Sequence, residues 1–172
     1  MDFLELAKNR YSCRYFSDKE IEQKKIDKIL EAARLAPTGR NSQSQKILVL
    51  TDKEQLEKLS GCTQYGWGAP LVLIICYDKN ESWKRSCDGA DGGIIDMSII
   101  TTHMMLEVTD LGLGSTWVGA FDPEKAKEIY NIPDNYEAVA ILPIGYPSPE
   151  AHPSRLHNDR KPIEEIAFYN KF

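Results

Sequence analysis

Apolar and polar residues alternate with a helical period over residues 18–36. The apolar positions of this stretch fall on one face of a helix: Ile21, Ile26, Ile29, Leu30, Ala33 and Leu35. Ser17 and Glu20 have the spacing of a capping box, in which each side chain satisfies a backbone donor at the helix start. Pro37 disfavours the α conformation of the residue before it. We therefore predict a helix over residues 18–36, preceded by a shorter helix and a polar break at residues 10–17.

Runs rich in valine, isoleucine and leucine predict the strands. They cover residues 45–50, 70–77, 115–118 and 138–144. The run at 70–77 is apolar without interruption, which indicates a strand covered on both faces. Short helices are expected at residues 53–60 and 123–130, with a loop at 61–68.

The longest helical candidate covers residues 88–111, with Gly112 placed as its C-terminal stop. Its apolar residues, from Ile94 to Val108, continue most of the way around the helix and do not keep to one stripe. Such a helix must be buried on several sides, which makes one of them a candidate surface for a partner subunit.

A proline-rich arm forms the end of the chain, at residues 147–172. It finishes in Phe168, Tyr169 and Phe172, and each ring left in water would expose a large apolar area. We expect the arm to pack either on its own domain or on a neighbouring subunit.

The length and charge narrow the functional classes. A chain of 172 residues is long enough for one core, so we expect a single domain over residues 1–172. Lysine and arginine number 21 against 26 acidic residues, and the net charge of −5 disfavours a general nucleic-acid or membrane-surface binder. The longest apolar run, residues 69–76, is too short to cross a bilayer, and a cytoplasmic protein is expected.

Several common catalytic motifs are missing from the sequence. It contains no G-x-G-x-x-G or P-loop motif, no H-E-x-x-H, and no G-x-S-x-G nucleophile elbow. The three histidines lack metal-ligand spacing, so no metal site is expected. The four cysteines form no C-x-x-C pair and are interpreted as free thiols, with Cys13 a small apolar plug.

The polar break carries two arginines four residues apart, Arg10 and Arg14, with Ser12 between them. The planar guanidinium matches phosphate oxygens, and the hydroxyl adds a donor, so this segment could hold a phosphate. Two solvated charges at a helix break would explain the same residues.

Three further segments could contact a flat polar ligand. Residues 37–43 carry hydroxyls and amides that suit the edge of a flavin ring, although a hydrogen-bonded turn is the simpler interpretation. In residues 112–122, small side chains let the backbone approach a ligand closely. Arg160 is a basic point near the end of the acidic chain.

In this order, the segments resemble the nitroreductase family of FMN-dependent oxidoreductases. The resemblance rests on R-x-S-x-R-x-F from Arg10, P-T-x-x-N-x-Q from Pro37, the Leu111–Gly114 helix end, the turn at 119–122, and the segments at 143–147 and 160–166. It implies an α+β fold with a mainly antiparallel central sheet packed by helices. It also implies an intertwined homodimer in which the arm at 147–172 packs on the partner. The pattern of elements by itself would also allow a doubly wound parallel sheet.

The resemblance also implies which residues hold FMN: Arg10, Tyr11, Ser12, Arg14, Pro37, Thr38, Gly39, Asn41, Gln43, Gly119, Ala120 and Arg160. Arg10, Ser12 and Arg160 would bind the phosphate or ribityl chain, and Arg14 the N1 and C2 carbonyl edge of the ring. Asn41 and Gln43 would address polar atoms of the flavin, and the backbone of Gly119 and Ala120 would face N5.

The implied activity is a ping-pong transfer of a hydride from NADH or NADPH, through flavin N5, to a nitroaromatic, a quinone or a similar acceptor. Two alternatives stay open: an FMN carrier or sensor with little turnover, and a specialised branch such as a reductive dehalogenase or flavin-breakdown enzyme. Only residues 78–87 separate the apolar strand from the long helix, where larger members insert a lid. The acceptor pocket is therefore expected to be open or covered by Tyr65, Trp67 and Trp83.

Overall fold

The computed structural model describes residues 2–172 and shows helices on both faces of an antiparallel sheet. The helices of this part of the chain are α1 (Phe3–Asn9), α2 (Gln23–Leu35), α3 (Lys53–Lys58), α4 (Gly93–Asp110) and α5 (Pro123–Tyr130). The strands are β1 (Gln45–Leu50), β2 (Leu71–Asp78), β3 (Gly114–Ser115) and β4 (Tyr136–Gly145), in the order β1-β2-β4-β3. The predicted α+β fold is confirmed, and a parallel sheet is excluded.

Strand β2 organises the core because both of its faces are covered. All eight of its residues are buried, and it pairs with β1 and β4, placing Val72 opposite Leu50 and Leu71 opposite Ile144. Leu73 packs with residues of α2 and α4 on one face, whereas Ile74 packs on the other face with residues next to α3 and in α5. The continuous apolar pattern of this strand is thereby explained.

Helix α2 begins later than its apolar pattern predicts. It starts at Gln23, and the capping residue Glu22 makes no side-chain cap. The predicted capping box is wrong, since the helix begins only at Gln23 and the Ser17 amide instead donates to the Tyr146 carbonyl, with 2.9 Å between N and O. The predicted end before Pro37 is confirmed, since α2 stops at Leu35.

Helix α4 also begins later than predicted, at Gly93 and not at residue 88. The residues before it form a turn closed by a bridge and an ion pair between Lys84 and Asp91, whose carboxylate also accepts from the Gly93 amide. The predicted stop is confirmed because Gly112 takes the left-handed conformation, with φ of 73°. Within residues 2–172, no helix has both the length and the apolar character to cross a membrane.

Only the first part of the C-terminal arm packs on its own domain: Pro147 forms a bridge with Phe16, and the Ser148 amide donates to the Tyr15 carbonyl at 3.1 Å. Its residues beyond 157 are exposed, and their only regular element is a 3₁₀ turn at Ile163–Glu165. The rings of Phe168 and Phe172 contact each other, with centroids 5.2 Å apart, and Phe172 is fully exposed. The aromatic end of the arm is therefore left exposed in the single chain.

Candidate functional site

Residues 10–16 leave helix α1 and run along the edge of the sheet. Ser12 pairs with Ser115 of β3 in a parallel bridge, and the Cys13 amide donates to the Ser115 carbonyl at 3.0 Å. Cys13 is completely buried against Gly114, which confirms it as a small plug. Because side chains alternate along an extended segment, burial of Cys13 turns its neighbours Ser12 and Arg14 the other way.

These neighbours line a small cavity that carries a concentration of positive charge. The cavity has a volume of about 180 Å³, and its lining residues are Arg10, Tyr11, Ser12, Arg14, Ser154, Leu156, His157 and Arg160. Within residues 2–172, the arginine ion pairs are made by Arg34 and Arg85, and the three arginines of the cavity take part in none. Three arginines without a carboxylate partner give this cavity the chemistry that suits an anion.

The guanidinium groups of the cavity keep most of their donors available. Arg14 uses one N–H to the Ser12 carbonyl, at 3.3 Å. Arg160 donates through Nη1 to the carbonyls of Leu156 and Asp159, at 3.3 and 2.8 Å. Each group has five N–H donors, so the remainder can bind an anion such as a phosphate.

His157 ties the arm to the start of the chain and was not singled out in the sequence as a site residue. Its Nε2 lies 2.9 Å from the Lys8 carbonyl oxygen, 149 positions away in the chain, and its ring meets the ring of Tyr11 edge-on. Ser154 and Leu156 were missed in the same way. No local pattern marks these residues, because their place in the cavity depends on a long-range contact.

The loop at residues 38–43 has an unusual backbone. Arg40, Asn41 and Gln43 all have positive φ, at 52°, 56° and 48°. Side chains other than glycine rarely adopt this conformation, and such residues concentrate at ligand-binding sites. The Gln43 amide donates to the Thr38 hydroxyl at 3.1 Å, while the side chains of Asn41 and Gln43 are exposed.

The turn at Gly119 and Ala120 presents open backbone. Both residues are exposed, and the Ala120 carbonyl accepts from the Thr63 hydroxyl at 2.8 Å. A Cβ added at Gly119 would meet only Trp117, with 3.8 Å to its Nε1. The chain's own packing therefore does not require glycine here, and the surface is open to the approach of another molecule.

Of the predicted site residues, Arg10, Tyr11, Ser12, Arg14 and Arg160 are brought together in the cavity. The others do not line it: Pro37, Thr38, Gly39, Asn41, Gln43, Gly119 and Ala120. A single chain thus assembles the part of the predicted site that suits a phosphate and leaves the other two loops outside it.

The three aromatic residues expected over the acceptor pocket do not form one group, because Trp83 lies apart from the other two. Tyr65 and Trp67 contact each other, with centroids 5.6 Å apart, and the Arg14 guanidinium lies 5.8 Å from the Trp67 ring. Trp83 instead packs against Gly39 and Gly92. Trp67 also lines a second cavity of about 680 Å³ next to α3. The charged residues that line that cavity are three carboxylates and one lysine, namely Asp18, Glu20, Glu57 and Lys53. The excess of negative charge makes it unsuited to a phosphate.

The similarity of this chain to known proteins covers both its fold and the three segments described above. The model of the nitroreductase family matches residues 7–64 and 61–146. The chain belongs to the nitroreductase family. The match includes the segments at 10–16, 37–43 and 112–122, whereas Arg160 lies beyond it.

Individual proteins agree with this assignment. The crystal structure of a nitroreductase family protein from Clostridium difficile 630 is 45% identical, with 100% of both chains covered and a TM-score of 0.93. An FMN-dependent nitroreductase from Clostridium difficile R20291 is 30% identical, with 99% and 100% covered and a TM-score of 0.83. A protein from Archaeoglobus fulgidus, provisionally named an NADH dehydrogenase/NAD(P)H nitroreductase, is 31% identical over 91% of this chain and 97% of its own. The expected family is confirmed.

Proposed function

We propose that this nitroreductase family protein is an FMN-dependent oxidoreductase that uses NADH or NADPH. The observation that supports this most directly is the cavity in which Arg10, Arg14 and Arg160 converge with Ser12 and without a carboxylate partner. In a chain with a net charge of −5, three unpaired arginines lining one cavity favour the binding of an anion there. The donor set fits the phosphate of FMN.

The size of the cavity limits which part of FMN it can hold. At about 180 Å³ it lies below the roughly 300–1,000 Å³ of pockets that enclose a whole drug-sized ligand. It can accept the phosphate end, and the flavin ring must then lie outside it. The loop with Asn41 and Gln43 and the turn at Gly119 and Ala120 are the proposed contacts of the ring.

A second copy of the chain would complete the site. Ile94 and Ile95 of α4 are 51% and 59% exposed, and the aromatic end of the arm is uncovered in a single chain. Burying such surfaces is favourable by about 25 cal/mol per Å² of apolar area. We therefore propose a homodimer in which the arm at residues 147–172 packs on the partner.

When bound, FMN supplies a hydride acceptor for NAD(P)H and a hydride donor for a nitroaromatic, quinone or similar acceptor, in a ping-pong sequence. The protein's part is binding and orientation. Arg10, Ser12 and Arg160 would hold the phosphate, and Arg14, which also lines the cavity, would direct its positive charge towards the N1 and C2 carbonyl edge and stabilise negative charge on the ring. No side chain is assigned as a proton donor.

The colour of the purified protein tests this proposal. We expect it to be yellow or to take up added FMN, to bleach with NADH or NADPH without oxygen, and to regain colour when a nitroaromatic is added. Slow bleaching with both nucleotides would favour an FMN carrier or sensor. A colourless protein that takes up no FMN would contradict the assignment of the cofactor.

Replacement of a single arginine tests the phosphate site. Arg10→Ala should weaken FMN binding by about 1.5–3 kcal/mol, the contribution of a hydrogen bond to a charged group. Arg34→Ala is the matched control, because Arg34 is exposed on α2 and paired with Glu31 at 2.7 Å. Both affinities can be measured by quenching of flavin fluorescence. Equal affinity of wild type and Arg10→Ala would reject the phosphate role of Arg10.

A further inference from the structure

A buried carboxylate on α4 holds the loop at residues 38–43. Asp96 is only 4% exposed, and its two oxygens accept from that loop: Oδ1 from the Gly39 amide at 3.0 Å and Oδ2 from the Ser42 hydroxyl at 3.4 Å. Within residues 2–172, no lysine or arginine forms an ion pair with Asp96. Burial of an unpaired carboxylate is costly unless hydrogen bonds compensate it, so the two loop donors are its main compensation.

The position of Asp96 in helix α4 further compensates for the burial of its carboxylate. Asp96 lies in the first turn of α4, an 18-residue helix, where the helix dipole favours negative charge. The carboxylate is therefore tolerated at this point, and its oxygens remain free to accept hydrogen bonds from outside the helix.

The loop needs such a fixed point because its backbone is strained. Arg40, Asn41 and Gln43 keep left-handed conformations that L-residues avoid, and these persist only where the surroundings impose them. On the other side of the loop, Trp83 packs so closely that a Cβ added at Gly39 would lie 3.1 Å from the Trp83 Cβ. Gly39 is thus held between the carboxylate and the indole ring.

We propose that Asp96 is a positioning residue that sets the conformation in which Asn41 and Gln43 present their amides to FMN. The proposal rests on the proposed function, since it assigns the exposed amides to the flavin. Asp96 acts through Gly39 and Ser42 and does not itself contact the ligand. Because the loop exposes the side chains of Asn41 and Gln43, losing the anchor should displace their amides more than it disturbs the core.

Three variants separate positioning from stability. Asp96→Leu removes both acceptors at similar volume, while Asp96→Asn keeps an oxygen for the Gly39 amide and can donate to the Ser42 hydroxyl. Thr101→Val is the matched control: Thr101 is a fully buried residue of the same helix, and its hydroxyl donates to the Met97 carbonyl at 2.7 Å.

The readout is the affinity for FMN, measured by flavin fluorescence at a temperature where circular dichroism shows each variant folded. We expect Asp96→Leu to bind FMN about tenfold more weakly, the equivalent of about one lost hydrogen bond between the loop and FMN, and Asp96→Asn to stay within about threefold of wild type. Thr101→Val should lower the unfolding temperature and leave the affinity unchanged. At saturating FMN, the visible circular dichroism of the flavin should change in Asp96→Leu.

Two results would overturn the proposal. One is an Asp96→Leu variant with wild-type affinity and flavin spectrum, and the other is an Asp96→Asn variant as impaired as Asp96→Leu. Failure of the proposed function would look different, because wild type itself would then take up no FMN. Hydrogen exchange of the Gly39 amide without FMN tests the anchor separately, and it should be faster in Asp96→Leu than in wild type or Thr101→Val.

Discussion

The close contact between Gly114 and Cys13 offers a sharp test of how the sheet edge supports the phosphate cavity. A Cβ added at Gly114 would lie 2.6 Å from the Cys13 Cβ, 2.8 Å from its Sγ and 3.3 Å from the Pro147 Cγ. Cys13 is completely buried, and its Cβ is attached directly to the backbone. Gly114→Ala therefore cannot be accommodated by rotating a side chain and must move the segment that contains Ser12 and Arg14.

The expected magnitude follows from that geometry. Overpacking a core typically costs about 1–3 kcal/mol, and a clash with a backbone-attached atom places Gly114→Ala near about 2–3 kcal/mol. For a chain of this size, such a loss lowers the unfolding temperature by roughly 4–12 °C. FMN affinity should fall as well, because the displaced segment carries Ser12 and Arg14, which line the phosphate cavity.

Thermal unfolding at fixed protein concentration measures the first effect, and FMN titration measures the second. Gly119→Ala is the matched control for the stability measurement, because its added Cβ meets only the Trp117 Nε1 at 3.8 Å, an ordinary contact. Its stability should stay within about 0.5 kcal/mol of wild type, as expected for a surface position. Its rate of flavin reduction should nevertheless fall if the Gly119 backbone faces the ring.

A compensating variant makes the test specific. Cys13→Gly deletes both atoms of Cys13 that clash with the Cβ of Gly114→Ala. The loss of stability caused by Cys13→Gly should therefore be smaller in the Gly114→Ala background than in wild type. A Gly114→Ala variant that unfolds like wild type, or a Gly119→Ala variant that loses as much stability, would contradict the predicted clash. Simple additivity of the two substitutions would show that they do not share a contact.

Two further predictions concern titratable groups. Cys87 is the exposed cysteine and should react with a thiol reagent in the native protein, whereas the other three should react only on unfolding; early modification of more than one thiol would contradict this. The Tyr146 hydroxyl donates to Glu22 at 2.6 Å and lowers the pKa of that carboxyl from 4.5 to about 2. A lowered pKa means that the stabilisation is complete above pH 4.5 and is lost as the pH falls towards 2. In urea unfolding, wild type should therefore lose more stability than Glu22→Gln over that interval, and equal losses would exclude the effect.

The sequence determined the elements whose signals are local. The strand at Gln45–Leu50 and the helix at Pro123–Tyr130 have the predicted boundaries. In that helix, the Asp122 carboxylate accepts from the amides of Glu124 and Lys125, a cap formed by adjacent residues. Local signals failed where a long-range contact involves the same residue. Ser17 was predicted to cap a helix, but its amide donates to the Tyr146 carbonyl.

The candidate site also contains residues that the sequence could indicate and contacts that only the folded chain creates. Arg10, Ser12, Arg14 and Arg160 could be singled out because guanidinium and hydroxyl groups carry their chemistry wherever they lie. That they share one cavity with Ser154 and His157, and that Asp96 anchors the loop at 38–43, depended on the folded chain. Capping, periodicity and turn chemistry act over a few residues, whereas these contacts join segments from tens to about 150 positions apart. Only the packing of α4 and the arm against the rest of the chain could bring them together.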